Sequence, residues 1–354
     1  MLLLTYNCNL RCSYCYEPKL ASHRMSASKA KEYILHQIDL LDEDYDSVEI
    51  QFMGGEPLLE FHLMRELSEW LWSLDLPQKL LVLFAPTNGT LLNEEMKEWF
   101  RANKDRIQLG LSFDGDFEMQ DINRSGSSLQ VDLSFFAGTW PDQSVKMTIS
   151  PSTIAKLSKG VKFLHENGIR FIDADLAMGK ELVWDRDSLE MLRDELSRLA
   201  DYYLEKDELI PMSMLRLDVC TILSAQKNAS GKTCSCGEDL VCIDWTGAEY
   251  ACHLFSPVAL PIAEAIRSRG IDFSKHENFL SEECRCCVLR GACNRCCGMN
   301  YICTGEVNKV SAFHCNAFKI IFAANCKLEL RRSLKKGDYD RLENINRIMA
   351  LIKI

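Results

Sequence analysis

"TYNCNLRCSYCYEP", residues 5–18, sets Cys8, Cys12 and Cys15 in one short stretch behind the apolar opening "MLLL". The spacing C-x3-C-x2-C offers three thiolates from a single loop, and thiolates select soft metals, chiefly zinc or iron–sulfur clusters. A structural zinc site takes four ligands, so a zinc knuckle here would need a distant fourth. A four-iron cube needs a ligand on each iron. Three local thiolates hold three irons and leave one open to a small chelating molecule. The cysteines also follow an expected first strand at 2–6, and parallel α/β folds place their chemistry at that end of a strand.

A chain of 354 residues that is 47% hydrophobic can bury one large core plus a satellite domain. The formal charge of −10, with no long basic run, argues against nucleic acid as a partner. Ahead of Cys8 the apolar run is three leucines with no basic segment before it, too short for a signal peptide or a bilayer span. No membrane association and a cytoplasmic location are therefore expected. Seventeen cysteines could suggest a disulfide framework. The odd count, the missing export signal and the empty stretch between Cys15 and Cys220 favour metal ligation in a reducing compartment instead.

Strands are expected at 2–6, 48–52, 80–86, 107–113, 145–150 and 169–175, and helices at 26–41, 60–74, 93–103, 153–167 and 188–205. "SASKAKEYILHQIDLL" has a serine start and apolar residues at helical spacing, while "KLLVLFAP" reads as a strand covered on both faces. Such alternation means parallel strands, in an open sheet or in a barrel. "QKNASGK" at 226–232 is a polar loop. From 234 to 326 helical periodicity is poor, and thirteen of the cysteines fall there, so metal is expected to supply folding energy. After Lys327 the chain reads as helical again.

"CNLRCSYC" resembles the signature of the radical S-adenosylmethionine (SAM) enzymes. The resemblance implies a [4Fe–4S] cluster on Cys8, Cys12 and Cys15, chelated at its open iron by SAM, whose one-electron cleavage gives a 5′-deoxyadenosyl radical. Tyr14 matches the aromatic residue usual at its position. "MGGEP" at 53–57 resembles the segment that holds the SAM amino group, with Gly54 and Gly55 allowing close approach and Glu56 offering a carboxylate. "PTNGTLL" at 86–92, with Asn88, and "LSFDG" at 111–115, with Ser112 and Asp114, resemble ribose- and substrate-side segments. "DINR" at 121–124 points to Arg124 as a residue that positions SAM or substrate. The implied fold is α/β, a partial (β/α)6 barrel over 1–220.

Downstream, the spacing resembles the auxiliary-cluster (SPASM) domain of peptide maturases and anaerobic sulfatase-maturing enzymes, expected over 221–326, with a helical segment at 327–354. The resemblance implies two more [4Fe–4S] clusters, three in all. One set is Cys236, Cys242, Cys252 and Cys297; the other is Cys284, Cys287, Cys293 and Cys315. Cys220, Cys234, Cys286, Cys296, Cys303 and Cys326 remain as buried small side chains or free thiols. Zinc in part of this domain is the physical rival.

Two departures bear on function. Sulfatase-maturing relatives carry a basic aspartate after the third cysteine of this block, where this chain has His253, a candidate base. The family's His-Asp before the arginine segment reads Gln120-Asp121 here. These favour a peptide maturase that forms a thioether or carbon–carbon cross-link in a ribosomal precursor peptide. The alternatives are a radical enzyme acting on a small molecule or protein side chain, and a non-enzymatic iron–sulfur or zinc electron-transfer module. A flavodoxin or ferredoxin-type electron donor is an expected partner. With the first strand expected at the chain's start, a separate leader-peptide recognition protein is another.

Overall fold

The structure, a computed structural model, describes residues 1–17, 23–41, 47–74, 80–179, 181–224 and 231–352. Residues 226–230 of the expected polar loop and 353–354 of the expected last helix lie outside the described residues. Strand and helix alternate as the sequence predicts. β1 (Leu2–Thr5) is followed by helix Ala27–Asp39, β2 (Ser47–Gly54) by Phe61–Ser73, and β3 (Leu80–Thr87) by Glu94–Ala102. β4 (Ile107–Leu111) leads into two short helices, Phe117–Asn123 and Leu133–Thr139, that the sequence reading leaves out. β5 (Val145–Ile149) precedes helix Leu157–Glu166, and β6 (Ile172–Leu176) precedes Arg186–Glu205. Two-residue strands β7 (Cys242–Ile243) and β8 (Glu249–Tyr250) follow.

The chain packs as two compact units that interleave in sequence: 1–113, 124–145 and 235–273 in the first, 114–123, 146–234 and 274–354 in the second. In the first unit a six-stranded sheet runs β4-β3-β2-β1-β7-β8. β1 to β4 are mutually parallel, with Thr5 beside Gly54 and Thr87 beside Leu111. Parallel pairing in that register brings the strands' C-terminal ends to one edge. β7 joins β1 in parallel and turns back antiparallel into β8, so part of the cysteine-rich stretch extends the sheet. These strands escape sequence reading because two residues carry no period.

The strands are driven inward by burial. Leu2, Leu3, Leu4, Phe52, Leu83, Ile107 and Leu109 are all buried. Helix Phe61–Ser73 covers them with Phe61, Met64, Leu67 and Leu71, and helix Glu94–Ala102 with Trp99 and Phe100. Ser26 and Asn93 cap two of the helices by accepting from the Lys29 and Met96 N–H groups, which fixes where those helices begin.

In the second unit β5 and β6 pair, and helix Arg186–Glu205 packs along helix Ala312–Lys336. The latter starts well before Lys327, inside the stretch read as aperiodic. It buries one broad face, at Ala317, Ile321, Phe322, Asn325, Cys326 and Leu328, which mixes a polar residue among the apolar ones, so no narrow apolar stripe marks it. Asn325 is its polar anchor: Oδ1 accepts from the Leu217 N–H at 2.9 Å and Nδ2 donates to the Met214 carbonyl at 2.7 Å. Among the described residues no helix is long and apolar enough to cross a membrane.

A close contact inside the parallel sheet tests this packing. Gly110 on β4 lies under the Phe84 ring of β3, where an added Cβ would stand 2.4 Å from the ring's Cζ. Gly110→Ala is expected to cost about 1–3 kcal/mol in denaturant unfolding. Phe84→Leu in that background should recover part of the loss, giving a non-additive double-mutant cycle.

Candidate active site

The loop after β1 carries Cys8, Cys12 and Cys15, all half-buried and none in a disulfide. The loop shapes itself by short-range bonds. The Cys15 N–H donates to the Cys12 carbonyl at 3.1 Å, and the Leu10 N–H reaches the Cys8 sulfur at 3.4 Å. Its neighbour is the turn after β2. There the Gly55 N–H donates to the Thr5 carbonyl at 3.2 Å, and the Glu56 N–H to the Asn7 carbonyl at 2.9 Å. Glycine is required for this approach. A Cβ on Gly54, at φ +151°, would lie 2.2 Å from the Thr5 oxygen, and one on Gly55 would lie 2.5 Å from the Asn7 oxygen and 2.9 Å from the Cys8 Cβ.

Glu56, expected to face an incoming ammonium, turns inward and is 1% exposed. Its Oε1 accepts from the Leu58 N–H at 3.1 Å and the Thr87 hydroxyl at 2.8 Å, and Oε2 from the Asn88 N–H at 2.8 Å. Burial pushes its carboxyl above the usual range, while those donors and the Arg124 charge act the other way. Asn88 continues the chain of bonds. Its Nδ2 donates to Asn9 Oδ1 at 2.9 Å, and its Oδ1 accepts from the Thr90 N–H at 3.0 Å and hydroxyl at 2.7 Å. Asn9 in turn donates to the Thr90 oxygen at 2.7 Å. Glu56 and Asn88 thus act as a frame that joins the ends of β1, β2 and β3. Thr87, Thr90 and Asn9 belong to it too, and only their side-chain directions could have revealed them.

Ser112 donates its N–H to the Thr87 carbonyl at 2.9 Å at the same strand edge. The Arg124 guanidinium sits 5.6 Å from the Tyr14 ring centroid, inside the cysteine loop, and the residue is 7% exposed. Asp114, in the second unit, is fully buried. It accepts from the Thr148 N–H at 2.8 Å and Asn123 Nδ2 at 3.1 Å, which makes it a hub for the end of β5.

The downstream cysteines fall into groups within each unit. In the first, the Gly237 N–H donates to the Ala251 carbonyl at 3.1 Å, and Cys242 pairs across the sheet with Tyr250. This draws the segments of Cys236, Cys242 and Cys252, all buried, together. Burial pushes the Cys242 thiol up to about 12, and the Cys252 sulfur nearby adds to the shift. In the second unit Cys297 is buried and opens helix Cys297–Thr304. Cys293 is pushed up to about 11, first by burial and further by Cys284, Cys287 and Cys315 beside it, with Arg295 opposing. Among the described residues no three His, Cys, Asp or Glu side chains converge as tightly as one metal ion requires. The fit of the thiols to a cluster therefore rests on donor chemistry and loop placement.

His253 follows Cys252, and its Nε2 lies 3.0 Å from the hydroxyl of Tyr16, the residue after Cys15. Its Nδ1 is buried without a hydrogen-bond partner among the described residues. Burial pushes the imidazole down to about 4, so the ring is neutral at pH 7 and a weaker proton acceptor than an ordinary histidine.

Residues 2–131 match the family profile described as the Radical SAM superfamily. An uncharacterized protein of Methanocaldococcus jannaschii is 30% identical over 191 residues, 51% of this chain and 63% of that one, so the chain spans under two thirds of this relative. A cysteine-type anaerobic sulfatase-maturating enzyme of Clostridium perfringens is 21% identical over 351 residues, covering 89% of this chain and 92% of the enzyme. The native anSMEcpe structure with bound AdoMet shares the fold at a TM-score of 0.70 and 18% identity, over 96% of this chain and 99% of that one. Streptococcus suis SuiB bound to precursor peptide SuiA shares it at 0.58 and 15%, over 88% and 74%.

The inward carboxylate gives a direct test. Glu56→Gln sets an amide N–H against the Asn88 or Thr87 donor and is expected to cost about 1–3 kcal/mol of stability. The loss should appear as a lower thermal midpoint together with at least tenfold weaker SAM binding to the reconstituted protein. Unchanged values would show that the carboxylate does not hold the edge.

Proposed function

We propose, on the premise that residues 2–131 form a radical SAM domain, that this chain is a radical SAM enzyme that modifies a peptide. The observation that carries the reading is the three-thiol loop at the C-terminal edge of a parallel sheet, framed by Glu56 and by glycines packed against the Thr5 and Asn7 backbone. The domain class binds SAM and one [4Fe–4S] cluster, and together these supply a 5′-deoxyadenosyl radical able to take hydrogen from an unactivated carbon.

The chain's own residues do the positioning. Cys8, Cys12 and Cys15 hold the cluster. Gly54 and Gly55 leave room along the loop, and Arg124 over Tyr14 sets a positive charge beside it that would suit a carboxylate of bound SAM. Ser112 lines the same edge. Glu56 and Asn88 orient these groups without meeting SAM. Cys236, Cys242, Cys252 and Cys297 form one auxiliary cluster set and Cys284, Cys287, Cys293 and Cys315 the other, within a domain at 221–326 that follows the barrel at 1–220 and precedes the helical segment at 327–354. Burial pushes the Cys242 and Cys293 thiols up, and coordination to a cation would deprotonate them.

A peptide substrate is supported by the shared fold with SuiB, solved bound to its precursor peptide, and with anSMEcpe, solved with a Kp18Cys peptide. Two auxiliary clusters would suit an oxidative outcome: closing a thioether or carbon–carbon link removes two hydrogens from the peptide, one as an atom taken by the 5′-deoxyadenosyl radical and the other as a proton to solvent and an electron that an auxiliary cluster would accept. A flavodoxin or ferredoxin-type protein would supply the priming electron, and a separate protein would present the leader. His253 is tied to Tyr16 and neutral, so the reading gives it a bracing part in place of the base role.

Anaerobic reconstitution with iron and sulfide should give roughly twelve irons per chain, three cubes of four, falling by about four in a variant lacking Cys8, Cys12 and Cys15. With SAM and dithionite the loaded chain should release 5′-deoxyadenosine, and Cys12→Ala should release none. A fully loaded wild-type chain that yields no 5′-deoxyadenosine ends the proposal. Mass spectrometry of a candidate precursor peptide after reaction, showing loss of hydrogen at a linked pair of residues, identifies the bond.

A further inference from the structure

The cysteine loop has three spacer residues between Cys8 and Cys12, and each is gripped differently. Asn9 is held through its side chain by Asn88 and Thr90. Leu10 is held through its N–H by the Cys8 sulfur. The third, Arg11, donates its backbone N–H at 2.9 Å to the side-chain oxygen of Ser125, a residue more than a hundred positions away. Ser125 is the one non-glycine residue with positive φ, +59°, among the described residues. A side chain there is unfavourable, and such outliers persist where the surroundings impose them, often at functional sites. The next residue is Gly126, also at positive φ, with open space where its Cβ would be. A glycine at 125 would thus relieve the backbone, yet the chain keeps a hydroxyl.

The residue before Ser125 supplies an independent link. Arg124 lies over Tyr14, within the Cys12–Cys15 spacer. Two consecutive residues therefore reach the two spacers of the thiol loop, one through a ring and one through a backbone amide. The left-handed turn at Ser125 is what allows both, because it lets the chain reverse after Arg124 while aiming the hydroxyl at Arg11.

We infer that Ser125 is a positioning residue for the cluster loop, fixing the Arg11 peptide and hence the relative placement of Cys8 and Cys12. The inference rests on the radical SAM reading for its consequence at the cluster, but the grip itself can be measured without any cluster. Hydrogen exchange of the full apo chain, followed in the peptide containing Arg11, should be at least tenfold faster in Ser125→Ala and Ser125→Gly than in wild type. Ser125→Asn accepts the left-handed conformation and retains a side-chain oxygen, and should restore much of the protection.

In the reconstituted chain, the SAM-induced change in the reduced cluster's EPR spectrum should broaden, and SAM should bind about tenfold more weakly, in the Ala and Gly variants alone. Ser125→Gly should at the same time unfold no earlier than wild type, since it removes the backbone strain. Wild-type exchange and wild-type EPR response in both Ala and Gly variants would overturn the inference. So would a fall in thermal midpoint with the EPR response intact, which marks a merely structural serine. A wild-type chain with no SAM-responsive signal would sink the radical SAM reading, while the exchange data would still decide whether Ser125 grips the loop.

Discussion

A buried carboxylate holds the working edge of this sheet together. An ionisable group that is 1% exposed is costly unless its oxygens are satisfied. Glu56 meets that demand with the N–H groups of Leu58 and Asn88 and the hydroxyl of Thr87. The demand works in both directions. Because the carboxylate needs these donors, the end of β3 must come to the turn after β2. Because the Glu56 N–H takes the Asn7 carbonyl, the thiol loop must come to the same turn. The paired glycines ahead of Glu56 make the approach sterically possible, since a Cβ on Gly54 would enter the Thr5 backbone and one on Gly55 the Asn7 backbone. The thiol loop is placed by hydrogen-bond accounting in the strand ends.

The thiols pull the other way. Buried cysteines such as Cys242 and Cys293 are poor metal ligands as they stand, since burial raises the free energy of the thiolate. A cation at the site reverses this, and its binding free energy then becomes part of the folding free energy. That exchange suits a stretch whose regular structure is thin: β7 and β8 are two residues each, and helix Glu282–Arg285 is four. The first thiol loop differs, because its shape is set by Glu56, Asn88 and the glycines. On the proposed reading, the auxiliary sets need metal to fold, whereas the SAM-side loop is preorganised to receive it.

The alternation of strands and helices is legible in the sequence because long apolar strands such as "KLLVLFAP" and capped helices such as the one after Ser26 carry strong periodic signals. The candidate site is legible only as residue types: three thiols, two glycines, a carboxylate and an arginine. Side-chain direction is not. A sequence shows that Glu56 is acidic and not that it points inward, and Asp114 likewise becomes a buried hub for the end of β5. β7 and β8 are too short to show a period. Helix Ala312–Lys336 buries a broad face that includes an asparagine and a serine, so its apolar stripe is blurred. The strain at Ser125 is invisible for a related reason: serine does not advertise a positive φ as glycine does.

His253 shows how one substitution can change a site's chemistry without emptying it. The burial that lowers an imidazole here would raise a carboxyl in its place, so either group is held toward its neutral form. The imidazole found there is driven neutral by burial and engages the Tyr16 hydroxyl. The bond joins the residue after Cys252 to the residue after Cys15, so two cysteine-bearing segments of the first unit are braced at one point. A brace and a base make opposed demands. The brace gains from a ring fixed in one tautomer and hidden from water, and the base needs a ring that protonates readily and can release its proton. On the proposed reading, with the ring engaged by Tyr16, the proton of an oxidative reaction leaves by another acceptor, and a product whose formation depends on an aspartate at this place is disfavoured.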